Sequence, residues 1–114
     1  MVKPSYIPGE GDIVWIDFNP QAGHEQTGRR PGFVVSPKNY NKIGMALLCP
    51  ITNAKKGYPF EVVIPGFGGN TTGVILSDHV RSMDWKARNA EFKESVDQSV
   101  LLEVKDKIAL LLQL

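Results

Sequence analysis

Glycine and proline divide most of this chain into short apolar runs, and this spacing constrains its fold more than any other feature. The 114 residues include eleven glycines and eight prolines. Short apolar runs bounded by such residues are typical of β-strands. We predict strands at 13–18, 33–35, 45–49, 60–64, 73–76 with a continuation through 81, and 86–92, with turns at 39–44 and 65–70. Strands of this length and number predict a small, partly closed antiparallel β-barrel.

The C-terminal segment has a different period. Apolar residues recur at steps of three to four, with charged residues between them, at Val96, Val100, Leu101, Val104, Ile108, Leu111 and Leu112. This spacing predicts an amphipathic helix that begins after Ser95 or Asp97 and covers one side of the barrel. The fold class is therefore α+β but mostly β. At this length we expect one domain over residues 1–114.

The segment between the first two predicted strands carries the most distinctive charges. Arg29 and Arg30 stand between Gly28 and a Pro31-Gly32 pair, so we expect both guanidinium groups to project from a turn and to bind an anion. Glu25 lies nearby in the same segment. The connection, about fourteen residues over 19–32, is longer than a hairpin needs, which favours a flexible loop that carries part of a site. An ordinary solvated surface loop is the alternative.

Charge is distributed unevenly along the chain. The formal net charge is only +1, but residues 29–88 hold nine Lys and Arg against three acidic residues, and both ends are acidic. A positive middle forms a polyanion-binding face if its side chains converge. No apolar run approaches the length of a membrane span and the N-terminus lacks a signal-peptide block, so we expect a cytoplasmic protein that does not bind membranes.

Few catalytic sets are compatible with this composition. One cysteine and two histidines leave no zinc cluster, and neither a phosphate-binding P-loop nor a two-metal carboxylate pattern is present. We therefore predict chemistry without a metal or another cofactor. The single cysteine, Cys49, excludes an internal disulfide and is expected to be buried in a strand. His24 and His79 either line polar loops or contact a substrate.

Five segments together resemble the MazF/PemK family of toxin endoribonucleases in order and spacing. They are 11–20 (GDIVWIDFNP), 25–31 (EQTGRRP), 34–37 (VVSP), 56–62 (KGYPFEV) and 76–85 (LSDHVRSMDW). The resemblance implies an SH3-like barrel with a C-terminal helix, assembled as a homodimer. It also implies a toxin that cuts single-stranded mRNA within a short sequence and is neutralised by an antitoxin, expected to be MazE-like, acidic and partly disordered.

The resemblance also implies roles for individual residues. RNA is cut without a metal when its own 2′-hydroxyl attacks the adjacent phosphate, leaving a 2′,3′-cyclic phosphate and a 5′-hydroxyl. Arg30 would stabilise the phosphorane, Thr52 would donate to the scissile phosphate, and Glu25 would act as base. The predicted RNA-binding residues are Phe18, His24, Gln26, Arg29, Lys55, Lys56, Tyr58, Ser77, Asp78, His79, Arg81 and Ser82, with Phe18 or Tyr58 stacking on bases and 77–82 forming a strand.

Two other functions fit parts of the same pattern. A non-enzymatic toxin related to CcdB, which poisons DNA gyrase by binding it, would share the fold, but the set of Glu25, Arg30 and Thr52 argues against it. A plain SH3-like binding module would need an aromatic groove for proline-rich peptides, and none is evident. Trp15 and Trp85 are predicted to be core or interface anchors.

Overall fold

The computed structural model describes residues 6–18, 28–66 and 69–114. The elements in chain order are β1 (Asp12–Asp17), β2 (Arg29–Val34), α1 (Lys38–Asn41), β3 (Met45–Thr52), β4 (Glu61–Val63), β5 (Val74–Leu76), a 3₁₀ turn (Ser77–His79), β6 (Arg81–Asp84), β7 (Glu91–Ser95) and α2 (Gln98–Leu112). The expected fold of mostly β-strands followed by a C-terminal helix is confirmed. In the described residues no helix is both long and apolar enough to cross a membrane.

All strand pairs are antiparallel and lie in one curved arrangement of seven strands. The order is β4-β5-β3-β2-β1-β7, and β6 also pairs with β3. Strand β3 is the centre, because Met45 to Leu48 pair with β6 while Ile51 and Thr52 pair with β5. Its other edge pairs with β2. Over the described ranges the sheet does not close, in agreement with a partly closed barrel.

Two buried clusters lie on opposite faces of this sheet. Ile13, Phe33 and Cys49 point to one face, where α2 packs through Val100 and Val104. The opposite cluster consists of Val14, Ile16, Phe18, Val34, Ala46, Leu48, Met83 and Trp85. Alternating side chains along each strand produce this division. The buried position expected for the only cysteine is confirmed.

Asp97 is the N-cap of helix α2, so the structure has the second of the two predicted caps, Ser95 and Asp97. The Asp97 carboxylate accepts a hydrogen bond from the backbone N–H of Ser99 at 3.0 Å. Hydrogen bonding from the Ser99 side chain, together with this backbone bond, lowers the pKa of Asp97. Ser95 instead ends β7. Beyond Val104 the helix leaves several leucines exposed, including Leu110 and Leu112.

Strand β2 begins four residues earlier than predicted, so the two arginines belong to a strand and not to a turn. Asp17 pairs with Arg29 and Ile16 pairs with Arg30. The prediction failed because it relied on local apolar residues, whereas pairing with β1 extends the strand. A Cβ at Gly32 would lie 3.2 Å from the Phe18 ring, so a larger residue there would require the ring to shift by a few tenths of an ångström.

Three other boundaries differ from the sequence prediction. The predicted strand over 77–82 is wrong, because a 3₁₀ turn at Ser77–His79 precedes β6. Residues 86–89 form a turn and not a strand: the Asp84 carboxylate accepts from the backbone N–H of Ala87 at 3.0 Å, and Asn89 has a positive φ of 57°. The segment predicted as a turn over 39–44 overlaps the short helix α1.

Candidate active site

A cavity of about 360 Å³ opens beside the start of β2 and the end of β3. Five side chains singled out from the sequence line it, namely Arg30, Thr52, Lys56, Tyr58 and His79. They come from β2, from β3, from the segment after β3 and from the 3₁₀ turn. The fold therefore brings together residues that are up to 49 positions apart in the sequence.

Arg30 and Thr52 lie on the neighbouring strands β2 and β3 and line the same cavity. Gly32 and Pro50 form the last pair between these strands, and the same antiparallel register extended by two residues would set Arg30 opposite Thr52. Both side chains then project from the same face of the sheet, because two residues are one repeat of a strand. Arg30 is exposed and Thr52 is half-buried. A phosphate in the cavity can reach a guanidinium from one strand and a hydroxyl from the other.

The backbone around Thr52 is closely packed. Its hydroxyl oxygen accepts from the backbone N–H of Ala54 at 3.0 Å, which leaves the hydroxyl hydrogen available to donate. Gly73 adopts a φ of +108°, and a Cβ there would lie 2.4 Å from the Thr52 carbonyl oxygen. Only glycine permits this approach of the chain leading into β5. The position of Thr52 is therefore fixed by its neighbours on both sides.

The turn at Lys55 to Tyr58 is held over the cavity by Glu61. The Glu61 carboxylate accepts from the backbone N–H groups of Lys56 at 2.9 Å and Gly57 at 2.8 Å. Tyr58 donates its hydroxyl to Asp78 at 2.9 Å. Burial and this hydrogen bond raise the pKa of Tyr58, so its phenol stays protonated. Glu61 was not predicted as a site residue, although the sequence segment that contains it is part of the resemblance.

The 3₁₀ turn supplies one rim of the cavity. His79 is exposed, and its Nε2 lies 3.9 Å from Asp78 Oδ1. Ser77 is fully buried, its N–H donates to the Phe60 carbonyl at 3.0 Å, and the Cys49 thiol contacts its carbonyl oxygen. The predicted RNA contact of the Ser77 side chain is therefore wrong, because the turn directs it into the protein. Burial, aided by Asp78, raises the pKa of Cys49 to about 12, so the thiol is not a nucleophile.

Arg29 points away from the cavity, on the opposite face from Arg30. One Nη donates to Asp17 at 3.1 Å and the other to Glu91 at 2.9 Å. The amide of Asn89 also donates to Asp17. This hydrogen bond is the largest cause of the lowered pKa of Asp17, and the hydrogen bond from Arg29 lowers it further. The structure thus gives Arg29 a structural role that joins β1, β2 and β7. Its contact with RNA stays a prediction.

Phe18 does not offer a stacking surface. It is 7% exposed and packs in the second buried cluster, with the Arg81 guanidinium 6.0 Å from its ring centre. The prediction that Phe18 stacks on a base is therefore wrong for this conformation.

Sequence reasoning also missed Arg88, which donates to the carbonyl oxygens of Asp17 and Phe18 at 3.0 and 2.7 Å. No local signal marks Arg88, because its partners are some 70 residues away.

The remaining predicted residues divide into two groups. Lys55, Arg81 and Ser82 are exposed near the cavity or on β6. His24, Glu25 and Gln26 lie outside the described residues. Within the described ranges no group of three or more His, Cys, Asp or Glu side chains is placed to hold a metal ion.

Comparison with known proteins agrees with this geometry. Residues 9–112 match the family model of the PemK-like, MazF-like toxin of type II toxin–antitoxin systems. The endoribonuclease toxin MazF of Escherichia coli K12 is 47% identical over 108 residues, covering 94% of this chain and 96% of that protein. The endoribonuclease PemK of Escherichia coli is 34% identical, covering 90% and 80%.

Solved structures give the same result. The crystal structure of MazF from Deinococcus radiodurans is 48% identical, covers 96% of this chain and all of its own, and superposes with a TM-score of 0.87. A MazE–MazF complex from the same organism gives 42% identity, a TM-score of 0.85 and coverage of 96% and 100%. The resemblance inferred from sequence motifs is confirmed, and the chain belongs to the PemK-like, MazF-like family of toxins of type II toxin–antitoxin systems.

Proposed function

We propose that this protein, as one toxin domain over residues 1–114, is a metal-independent endoribonuclease that cuts single-stranded RNA within a short sequence. The observation that carries the proposal is the placement of Arg30 and Thr52 on facing strands at one cavity. Relatives that match nearly the whole chain are named endoribonucleases. None of those relatives is named as a gyrase poison, so the CcdB-like alternative is not favoured.

The proposed mechanism uses the substrate's own nucleophile. The 2′-hydroxyl attacks the phosphorus, the bond to the 5′-oxygen breaks, and the products are a 2′,3′-cyclic phosphate and a 5′-hydroxyl. Arg30 stabilises the charge on the phosphorane because its planar fork of donors matches phosphate oxygens. Thr52 donates its free hydroxyl hydrogen to the same phosphate. Glu25 is proposed as the base because it is the carboxylate nearest to Arg30 in this segment of the sequence. DNA is not cut, because it lacks the 2′-hydroxyl.

RNA binding is proposed along the rim of the cavity. Lys55, Lys56 and Arg81 are exposed and supply positive charge for the backbone. Tyr58 offers a half-buried ring for base stacking, and Asp78, His79 and Ser82 offer polar groups for base edges. We include His24 and Gln26 through the resemblance.

The proposed partners are a cognate antitoxin and a second copy of this chain. A relative has been solved as a MazE–MazF complex, and an acidic, partly disordered MazE-like peptide suits the positive rim. Exposed Leu47, Leu112 and Leu114 line an apolar groove of about 270 Å³ that also includes Val80 and Ile108, which supports a homodimer. We infer that the toxin acts in the cytoplasm, where cutting mRNA would stop translation and growth.

The direct test is incubation of the purified protein with a long single-stranded RNA and with DNA of the same sequence. We expect RNA fragments only, each with a 5′-hydroxyl that accepts phosphate from a kinase without prior phosphatase treatment. Sequencing the 5′ ends gives the cleavage motif. Arg30→Ala is the control for contaminating nucleases. Intact RNA at every protein concentration would refute the function.

A further inference from the structure

The cavity contains a group that can hand a proton to the leaving oxygen, a task that Arg30 and Thr52 do not perform. Arginine keeps its proton under all working conditions, so it is a poor general acid. The Tyr58 phenol is held protonated and donates to Asp78, and the Glu61 carboxylate is engaged by two backbone N–H groups. Histidine, by contrast, takes up and releases a proton between pH 5 and 8. His79 lines the cavity with Arg30 and Thr52.

The surroundings of His79 suit a proton donor. Asp78 Oδ1 lies 3.9 Å from its Nε2. The side chain is 54% exposed, so solvent can return a proton after each turnover. Charged groups that share the cavity are Arg30, Lys56 and Glu61. From α2, Lys107 binds the Pro59 carbonyl next to Tyr58, and β3 contributes the neutral Cys49 thiol.

We infer that His79 is the general acid of RNA cleavage, an assignment that rests on the proposed function. Protonated His79 transfers its proton to the 5′-oxygen as the P–O5′ bond breaks, which yields the 5′-hydroxyl. The 2′-oxygen forms the new bond to phosphorus and gives its proton to the base, for which Glu25 is proposed, and the base then releases that proton to solvent. His79 then regains a proton from solvent, so protons balance over the cycle. Neither the family resemblance nor the relatives' names assign this role to the position.

The test compares two substrates that differ in one bridging atom. The first is a short RNA containing the mapped cleavage site, and the second carries sulfur in place of the 5′-bridging oxygen. A thiolate leaves without a proton, so the second substrate does not need a general acid. We expect His79→Gln to lower the single-turnover rate at saturating oxygen substrate by roughly 10²-fold. On the sulfur substrate the same variant should cut within a few-fold of the parent.

The pH profile gives an independent readout. On the oxygen substrate the parent's rate should fall on the alkaline side as the imidazolium loses its proton, and His79→Gln should lack this fall. Lys42→Gln, exposed and outside the cavity, is the control for a surface change and should match the parent.

Each result decides one of the two assignments. A parent that does not cut RNA refutes the proposed function. An active parent overturns only the role of His79 if His79→Gln keeps the parent's rate, if its defect persists on the sulfur substrate, or if only the half-saturating RNA concentration changes. Thermal unfolding of His79→Gln must match the parent, which an exposed side chain leads us to expect. If that variant is unstable, the pH profiles of the parent on the two substrates still test the role of His79. The loss of rate at alkaline pH must be present with the oxygen substrate and absent with the sulfur substrate.

Discussion

Substitutions of the two adjacent arginines should have different effects: loss of Arg30 should lower the rate of cleavage, and loss of Arg29 should lower the stability of the fold. Arg30 is exposed at the cavity, so Arg30→Ala should leave the free energy of unfolding within about 0.5 kcal/mol of the parent. Its loss from the transition state should lower the chemical rate by on the order of 10²-fold or more, equivalent to about 3 kcal/mol. Arg30→Lys keeps the charge without the fork of donors and should recover only part of this loss.

Arg29→Ala should show the opposite pattern. It removes two ion pairs whose arginine side chain is 31% exposed, and such partly exposed pairs contribute about 0.2–1 kcal/mol each. Asp17 keeps its bond to Asn89. A total loss near 1 kcal/mol lowers the melting temperature by roughly 4 °C for a domain of this size. Any weakening of RNA binding should be seen at low RNA and recovered at saturation.

The assay is single-turnover cleavage at saturating RNA, combined with thermal unfolding of both variants. Antitoxin binding by Arg30→Ala should remain measurable and shows that the fold is intact. The reasoning fails if Arg30→Ala cuts at the parent's rate, or if Arg29→Ala has the larger chemical defect with an unchanged melting temperature.

Four further results are expected. Cleavage should continue in excess EDTA, and a chelator that abolishes activity, restored by a divalent ion, would contradict the metal-free mechanism. Sedimentation at micromolar concentration should give a dimer, and Leu112→Glu, which places a charge in the apolar groove, should shift it toward monomer; an active monomeric parent would refute this assembly. The contacts that lower the pKa of Asp17 favour its charged form, so they stabilise the fold at pH values above the ordinary aspartate pKa of about 4. The difference in melting temperature between the parent and Asp17→Asn should therefore shrink as the pH falls below that value. A constant difference from pH 6 to 3 would contradict this expectation. Glu61→Gln should raise the half-saturating RNA concentration more than it lowers the saturated rate, since it loosens the turn that carries Lys56 and leaves Arg30 in place, and the reverse ratio would argue against an anchoring role.

Sequence reasoning was most successful where the signal is local. Helix α2 and its two candidate caps, Ser95 and Asp97, are encoded in the spacing of a few adjacent residues, and the structure has the helix with Asp97 as its cap. Arg30 and Thr52 came from the family resemblance, and the cavity brings them together. Turn chemistry also located most strand ends to within a few residues.

The failures share a physical cause, because each depends on residues far apart in the chain. The early start of β2 depends on pairing with β1, and the burial of Phe18 depends on Leu48 and Trp85 in the second cluster. Arg88 binds main-chain oxygens that no motif predicts. The 3₁₀ turn replaces a strand at Ser77 because the chain must turn there between partners on β3.

The attachment of the Lys55 to Tyr58 turn has a practical consequence for engineering. Arg30 and Thr52 lie on paired strands, whereas this turn is held by hydrogen bonds to two carboxylates, those of Glu61 and Asp78. We therefore expect the turn to tolerate substitution without disturbing the strands that carry Arg30 and Thr52. A library that randomises residues 53–56 while retaining Gly57, Tyr58 and Glu61 should yield enzymes with altered affinity for RNA and an undiminished rate of cutting at saturating RNA, and such a library leaves the hydrophobic interior untouched.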